Sequence, residues 1–324
     1  MPPTNKPKEI ALAVNKWFEK LMPVMTPLGV VMGFLFPDVF IHVRPWIPLL
    51  FGAMTLSGAI KLRAKELGMA VKSPLPIVFF FIFAHVVMPT LVFLVGSLVF
   101  RDSPDVVAGY VLLFSVPTAV SGFIWISIYK GDGALSLALI LLDTLLAPLL
   151  VPGTVSVLLR TKVALDMSGM AVSLVLMIVV PTIIGVLLNE VSKERIPRMV
   201  SPYLNPIGKI CLVMVVCANV SAVAPQVNLT DPVVYIIAFI CIILSMAGFL
   251  GSKLVGIVCR LTPEKKVSIF FASGLRNISA AATMAIDFFP QSAALPAILG
   301  IVFQQTMASL MGKIGIRSKN TEED

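Results

Sequence analysis

Apolar runs of roughly 18 to 28 residues recur along this chain, separated by short polar stretches, and a run near 20 residues is what an α-helix needs to cross the hydrocarbon of a bilayer. Ten such segments can be drawn: Leu21–Val39, Trp46–Leu62, Pro74–Phe100, Val106–Tyr129, Ala134–Leu159, Met170–Leu188, Ile207–Val227, Pro232–Cys259, Val267–Phe289 and Ala293–Lys313. The predicted fold is therefore an all-α polytopic membrane protein with ten transmembrane helices. Residues 1–20 form a polar N-terminal segment with a mildly amphipathic Ile10–Met22 stretch and no cleavage pattern, and residues 315–324 form a polar tail. Short connections predict a single membrane transport domain over 1–324.

Two of the ten segments are interrupted. The fourth contains Ser115-Val116-Pro117-Thr118-Ala119-Val120-Ser121-Gly122, and the ninth contains Ala272-Ser273-Gly274-Leu275-Arg276-Asn277-Ile278-Ser279. A proline removes a backbone donor, and a helix broken inside a membrane is tolerated only where the freed groups line a cavity or find protein partners. The interruptions lie about 155 residues apart, close to half the chain. Such a spacing predicts a five-plus-five repeat, inverted because five is odd, with repeat one near 21–160 and repeat two near 168–314. Paired breaks at matching places point to a transporter's binding site near the midplane.

Composition fits this picture. Of 324 residues, 58% are hydrophobic and 13% charged, with a mean hydropathy of +0.98. The net charge of +8 reads as positive charge on cytoplasmic loops rather than as a nucleic-acid surface. Twenty basic residues fall on the side of the N-terminus and four, Arg44, Arg101, Arg160 and Lys162, on the other. That asymmetry predicts a multi-pass protein of a bacterial-type inner membrane with both termini cytoplasmic. The four cysteines lie in apolar segments without metal-ligand spacing, so no cofactor or metal is expected.

The remaining basic residue is Arg276, and a central arginine costs about 2.5–3.5 kcal/mol on insertion scales, which usually places it against protein or an aqueous cavity. Other polar residues inside segments are few: His85, Ser121, Ser127, Ser136, Asp143, Thr144, Asn219, Asn277, Ser279, Gln304, Gln305 and Thr306. Ser136, Ile140 and Asp143 are spaced to share one helix face. Asp143 reads either as a structural partner of Arg276 or as a proton- or cation-coupling group. His85 reads either as a hydrogen-bonded packing residue or as a group that titrates near pH 6.5.

The runs Lys130-Gly131-Asp132-Gly133-Ala134-Leu135-Ser136 and Thr144-Leu145-Leu146-Ala147-Pro148, with Gly274-Leu275-Arg276-Asn277 and the Ala294–Thr306 run, resemble the bile acid:sodium symporter family. That resemblance implies an inverted repeat, a core and a panel domain, broken helices four and nine crossing in the core, and alternating access for organic anions. It also implies two sodium ions beside the crossing, and there this sequence departs. The family's helix-four serine-asparagine pair falls on Ser121 and Gly122, and its helix-three glutamine on His85. Ser136 is kept, a threonine falls on Ile140, the shared glutamate on Ala272 and a glutamine on Arg276.

Two sodium ions and one carboxylate leave a net +1 in the family's loaded site; Arg276 without that carboxylate gives +1 with no ion. The expected function is secondary transport of a small or amphipathic organic anion independent of sodium, with Arg276 in place of bound cation. Thr118, Ser121, Arg276, Asn277, Gln304 and Gln305 are the expected substrate contacts. A proton-coupled carrier using Asp143 or His85 is the alternative, and a channel or an intramembrane enzyme the remote ones. The chain has only two histidines and no HExxH, which argues against an enzyme. The partners expected are the anion and the lipid bilayer, not nucleic acid; nothing in the sequence indicates an oligomeric state.

Overall fold

The computed structural model describes residues 6–65, 68, 74–159 and 166–316. Lys72, Arg160, Lys162, Arg317 and Lys319 of the charge count, and the tail past 316, lie outside them. The described residues form helices and connections with no strand: α1 (Lys6–Leu35), α2 (Pro37–Ala59), α3 (Pro74–Val99), α4 (Pro104–Ser115), α5 (Gly122–Ile128), α6 (Gly133–Leu159), α7 (Met167–Ser192), α8 (Arg195–Gln226), α9 (Pro232–Val258), α10 (Pro263–Gly274), α11 (Ile278–Phe288) and α12 (Gln291–Gly315). Seven of these, α2, α3, α6, α7, α8, α9 and α12, are long and apolar enough to cross a membrane unbroken. Helix α1 is bent by 72° between Pro7–Met22 and Val24–Leu35, at the start of the first segment. The fourth segment is α4 and α5, and the ninth is α10 and α11, each pair separated by a few non-helical residues.

Helix starts follow local chemistry. Proline stands at the first position of α4, α9 and α10, where its missing N–H is not needed. Asp231 caps α9 by accepting the Val233 N–H at 2.9 Å, and the Asp132 carboxylate accepts the Leu135 N–H at 3.0 Å in the first turn of α6. Two expected boundaries move. The seventh segment, drawn from Ile207, is helical from Arg195, and the first is helical from Lys6. Backbone pairing continues a helix past its apolar stretch wherever polar side chains on the extra turns find partners.

The chain divides into two compact units, one of Met1–Ala64 with Leu174–Pro225 and one of Lys65–Ser173 with Gln226–Asp324. In the first, α1 packs on α8, and α8 on α2. A Cβ at Gly33 would lie 2.7 Å from the Cys217 carbonyl oxygen, so glycine is what lets α1 and α8 approach. Arg63 pairs with Glu194, and the Glu190 carboxylate accepts the Ala64 N–H at 2.8 Å. In the second unit, α4 and α11 are almost wholly buried, and α3, α6, α9, α10 and α12 surround them. Large apolar side chains face outward as well as inward: Leu149 and Val191 are 73% and 83% exposed, whereas Asp143 is 0% and Arg276 4% exposed. An apolar exterior around buried charges is the arrangement a bilayer selects.

Candidate functional site

The site is built where the two broken segments meet. Pro117 disfavours a helical Val116, which is extended at φ −61°, ψ 156°. The second break has no proline: Leu275 is extended at φ −108°, ψ 100°, and Asn277 restarts the helix by accepting the Ala280 N–H on its side-chain oxygen. Gly274 is needed for room rather than for an unusual backbone angle. A Cβ there would sit 2.2 Å from the Phe249 ring.

Thr118 and Arg276 face each other as an antiparallel bridge. The Ala119 N–H donates to the Leu275 carbonyl at 2.9 Å, and the Asn277 N–H to the Pro117 carbonyl at 2.8 Å. Each break thus satisfies backbone groups freed by the other, which answers the main objection to irregular backbone at this depth. Gln304 on α12 donates its Nε2 to the Arg276 carbonyl, so a third element clamps the crossing.

Asp143 projects from α6 against this bridge. Its Oδ2 accepts the backbone N–H and lies 2.8 Å from the hydroxyl oxygen of Thr118, while Oδ1 lies 2.7 Å from Nε2 of His85. The Thr118 hydroxyl is also 2.8 Å from the Ala272 carbonyl oxygen, and its single proton serves one acceptor at a time. His85 lies in a π-helical turn, Phe83–Val87, of α3 and stacks on Phe81. Such turns recur at functional sites.

Arg276 is placed differently. Its Nη1 is 3.6 Å from Asp143 Oδ2, an ion pair but too long for a hydrogen bond. Nε, Nη1 and Nη2 are all buried without a hydrogen-bond partner among the described residues. Arg276 also lines a small cavity of about 10 Å³, together with Phe114, Ser245, Phe249, Gln304 and Met307. In the state described, the space beside the guanidinium is near what one water occupies.

The expected residues divide into three groups. His85, Thr118, Asp143 and Arg276 come together directly, and Asn277 and Gln304 hold the backbone of the same crossing. Gln305 instead accepts the Trp125 indole N–H at 3.0 Å, and Ser121 stands just before α5. Gly122 packs on Leu275, Ile140 is fully buried, and Ser136 donates its hydroxyl to the Asp132 carbonyl at 2.7 Å. Ala272 belongs to an apolar cluster with Phe80, Ala84, Leu139 and Ile269. Ser245 and the apolar walls Phe114, Phe249 and Met307 were missed. A lone serine in an apolar helix and a phenylalanine in a membrane span carry no sequence signal.

The sequence model of the Sodium Bile acid symporter family matches residues 48–229. "Uncharacterized protein YbaS" of Bacillus subtilis is 35% identical over 292 residues, 90% of this chain and 95% of that protein. "Probable sodium/metabolite cotransporter BASS1, chloroplastic" of Arabidopsis thaliana is 25% identical over 329 residues, 98% of this chain and 79% of that protein. "Uncharacterized sodium-dependent transporter YocS" of Bacillus subtilis is 23% identical over 287 residues, 87% of this chain and 86% of that protein.

Proposed function

This chain belongs to the sodium bile acid symporter family, whose members are membrane transporters and not enzymes, and from that premise we propose that it carries a small or amphipathic organic anion independently of sodium. The observation that carries this reading is the Arg276 guanidinium, buried beside the crossing with no hydrogen-bond partner for its nitrogens among the described residues. A planar fork of donors in a buried site is suited to bind a carboxylate or sulfonate in two parallel hydrogen bonds. The N-terminus of α11, which follows directly, adds favourable potential for the same charge.

Sodium independence follows from what fills the positions at which the family holds its cations. Ala272 and Ile140 supply no ligand oxygen from their side chains. A fixed guanidinium among these groups does the electrostatic work of an ion. The relatives whose names mention sodium set the contrary expectation, which makes the point decisive to test.

The wider architecture in this reading is ten spans in two inverted repeats, with the bent first segment and the two broken segments each counted as one span. Both termini lie in the cytoplasm, as the loop charges indicate. Transport proceeds by alternating access around the crossing.

Reconstituted protein should take up a labelled anion at the same initial rate with and without a sodium gradient at fixed pH. Taurocholate and isovalerate, an amphipathic sulfonate and a short monocarboxylate, bracket the class. Strict sodium dependence in the native protein sinks the fixed-cation reading, and an Arg276→Gln variant with unchanged uptake sinks the anion site.

A further inference from the structure

We infer that the His85–Asp143 pair binds one proton together with each anion, so that the site is an anion–proton symport site; this rests on the reading of Arg276 as the anion's ligand. The argument begins with charge. Among the described residues, the charged or titratable groups that reach the Asp143 carboxylate are His85 from α3 and Arg276 from the second break; Thr118, from the first break, is neutral. With neutral His85, Arg276 and Asp143 cancel. An arriving monoanion then leaves a net charge of −1 in a site where Asp143 is 0% and Arg276 4% exposed, and an uncompensated charge is what such a site tolerates least. One proton restores neutrality.

The geometry shows where that proton goes. With Nε2–H donated to Oδ1 at 2.7 Å, the other ring nitrogen, Nδ1, carries a lone pair. Nδ1 is buried and has no hydrogen-bond partner among the described residues. Protonation at Nδ1 gives an imidazolium beside the carboxylate. Moving the Nε2 proton along the 2.7 Å bond to Oδ1 gives the equivalent neutral pair, a carboxylic acid and an Nδ1–H imidazole. In both forms one proton has been gained, none has been lost, and the single negative charge facing Arg276 is cancelled. The guanidinium is then free to pair with the anion. Two unsatisfied groups therefore flank one carboxylate: a base that lacks a proton and a cation that lacks hydrogen-bond acceptors. Binding at either favours binding at the other, because the coupling is reciprocal.

The full chain in lipid nanodiscs tests this by calorimetric titration with isovalerate and taurocholate at pH 6 and pH 8, in buffers of different ionisation heat. The expected result is uptake of about one proton per anion, with the apparent Kd rising by up to about tenfold per pH unit above the titration of the pair. Asp143→Asn, neutral without a proton, should bind the anion with no proton uptake and a Kd flat in pH. Arg276→Gln should bind the anion about 10- to 100-fold more weakly. The chain has two histidines, so nitrogen-15 histidine spectra give a second readout free of any substitution. Saturating anion should bring a proton to Nδ1 of His85 and leave His42 unchanged.

A native Kd flat in pH without proton uptake, or a His85 signal that ignores the anion, overturns the coupling while leaving the Arg276 site standing. Failure of both probes to bind the native protein overturns the anion site and this inference with it.

Discussion

Lys209 and Arg276 are both basic residues within long, mostly apolar stretches, one in each compact unit, and their surroundings are opposite. Lys209 Nζ lies 2.5 Å from the Asn15 side-chain oxygen, 3.3 Å from the Asn15 carbonyl and 3.2 Å from Glu19. Asn15 in turn donates to Glu19 at 2.9 Å. All the donors of that ammonium are used, so the residue ties α1 to α8 and has nothing left to offer a ligand. Arg276 is more deeply buried, and its side-chain donors find no hydrogen-bond partner among the described residues. Since burying unpaired donors is costly, a group left in that condition is explained by something that arrives to satisfy it. Partner count, not charge or depth alone, separates the scaffold cation from the proposed site cation.

The largest effect that could break this contrast is on binding. Arg276→Gln should weaken anion binding by about 10- to 100-fold, the loss of one charge-assisted interaction of about 1.5–3 kcal/mol. Arg276→Lys should recover only part of it, because an ammonium cannot present the planar fork. Equilibrium binding of labelled taurocholate to the purified protein reads both. If Lys restores full affinity, the fork geometry is irrelevant and only the charge matters. Next in size is a packing effect. Gly274→Ala would put a Cβ 2.2 Å from the Phe249 ring, so it should cost about 1–3 kcal/mol and lower the thermal unfolding midpoint in detergent. An unchanged midpoint would mean that the second break is looser than its contacts indicate.

Much of this was legible in the chain. Arg276 stood out as a charge in an apolar run, and the Pro117 break and the Gly274–Asn277 break could be paired by their spacing. Helices α4, α5, α10 and α11 fall where those interruptions place them. What could not be read is which polar residues meet. His85, Thr118, Asp143 and Arg276 come from four places in the sequence, and only the crossing brings them to one carboxylate. Thr118, an expected substrate contact, places its backbone N–H and hydroxyl against Asp143, a pairing that only the fold reveals. Ser136, which the resemblance gives as a cation ligand, donates its hydroxyl to the Asp132 carbonyl, a contact that no sequence pattern announces. In the sequence Lys209 is only one of the twenty basic residues on the N-terminal side, because a sequence does not reveal that Asn15 and Glu19 meet it.

Two smaller effects sharpen the comparison. Thr118→Val keeps the shape and removes one of the donors to Asp143, leaving the backbone N–H and His85 in place. The carboxylate then has less competition from the bridge and should turn toward Arg276, so anion affinity should fall modestly, by a factor consistent with about 1 kcal/mol. A gain in affinity would instead mean that Asp143 helps to hold the anion's side of the site open. The smallest effect should come from the scaffold cation. Glu19 is 42% exposed on its side chain, so solvent screens its pairing with Lys209, and Lys209→Met should change stability by less than about 1 kcal/mol. The methionine stem keeps the packing of the lysine's carbons, and the Asn15 amide keeps its bond to the Glu19 carboxylate. Anion affinity and its pH dependence should be unaltered. A Lys209→Met protein that folds normally but binds the anion tenfold more weakly would show that a fully partnered cation also serves the site, and the rule drawn from partner count would then fail at the residue used to establish it.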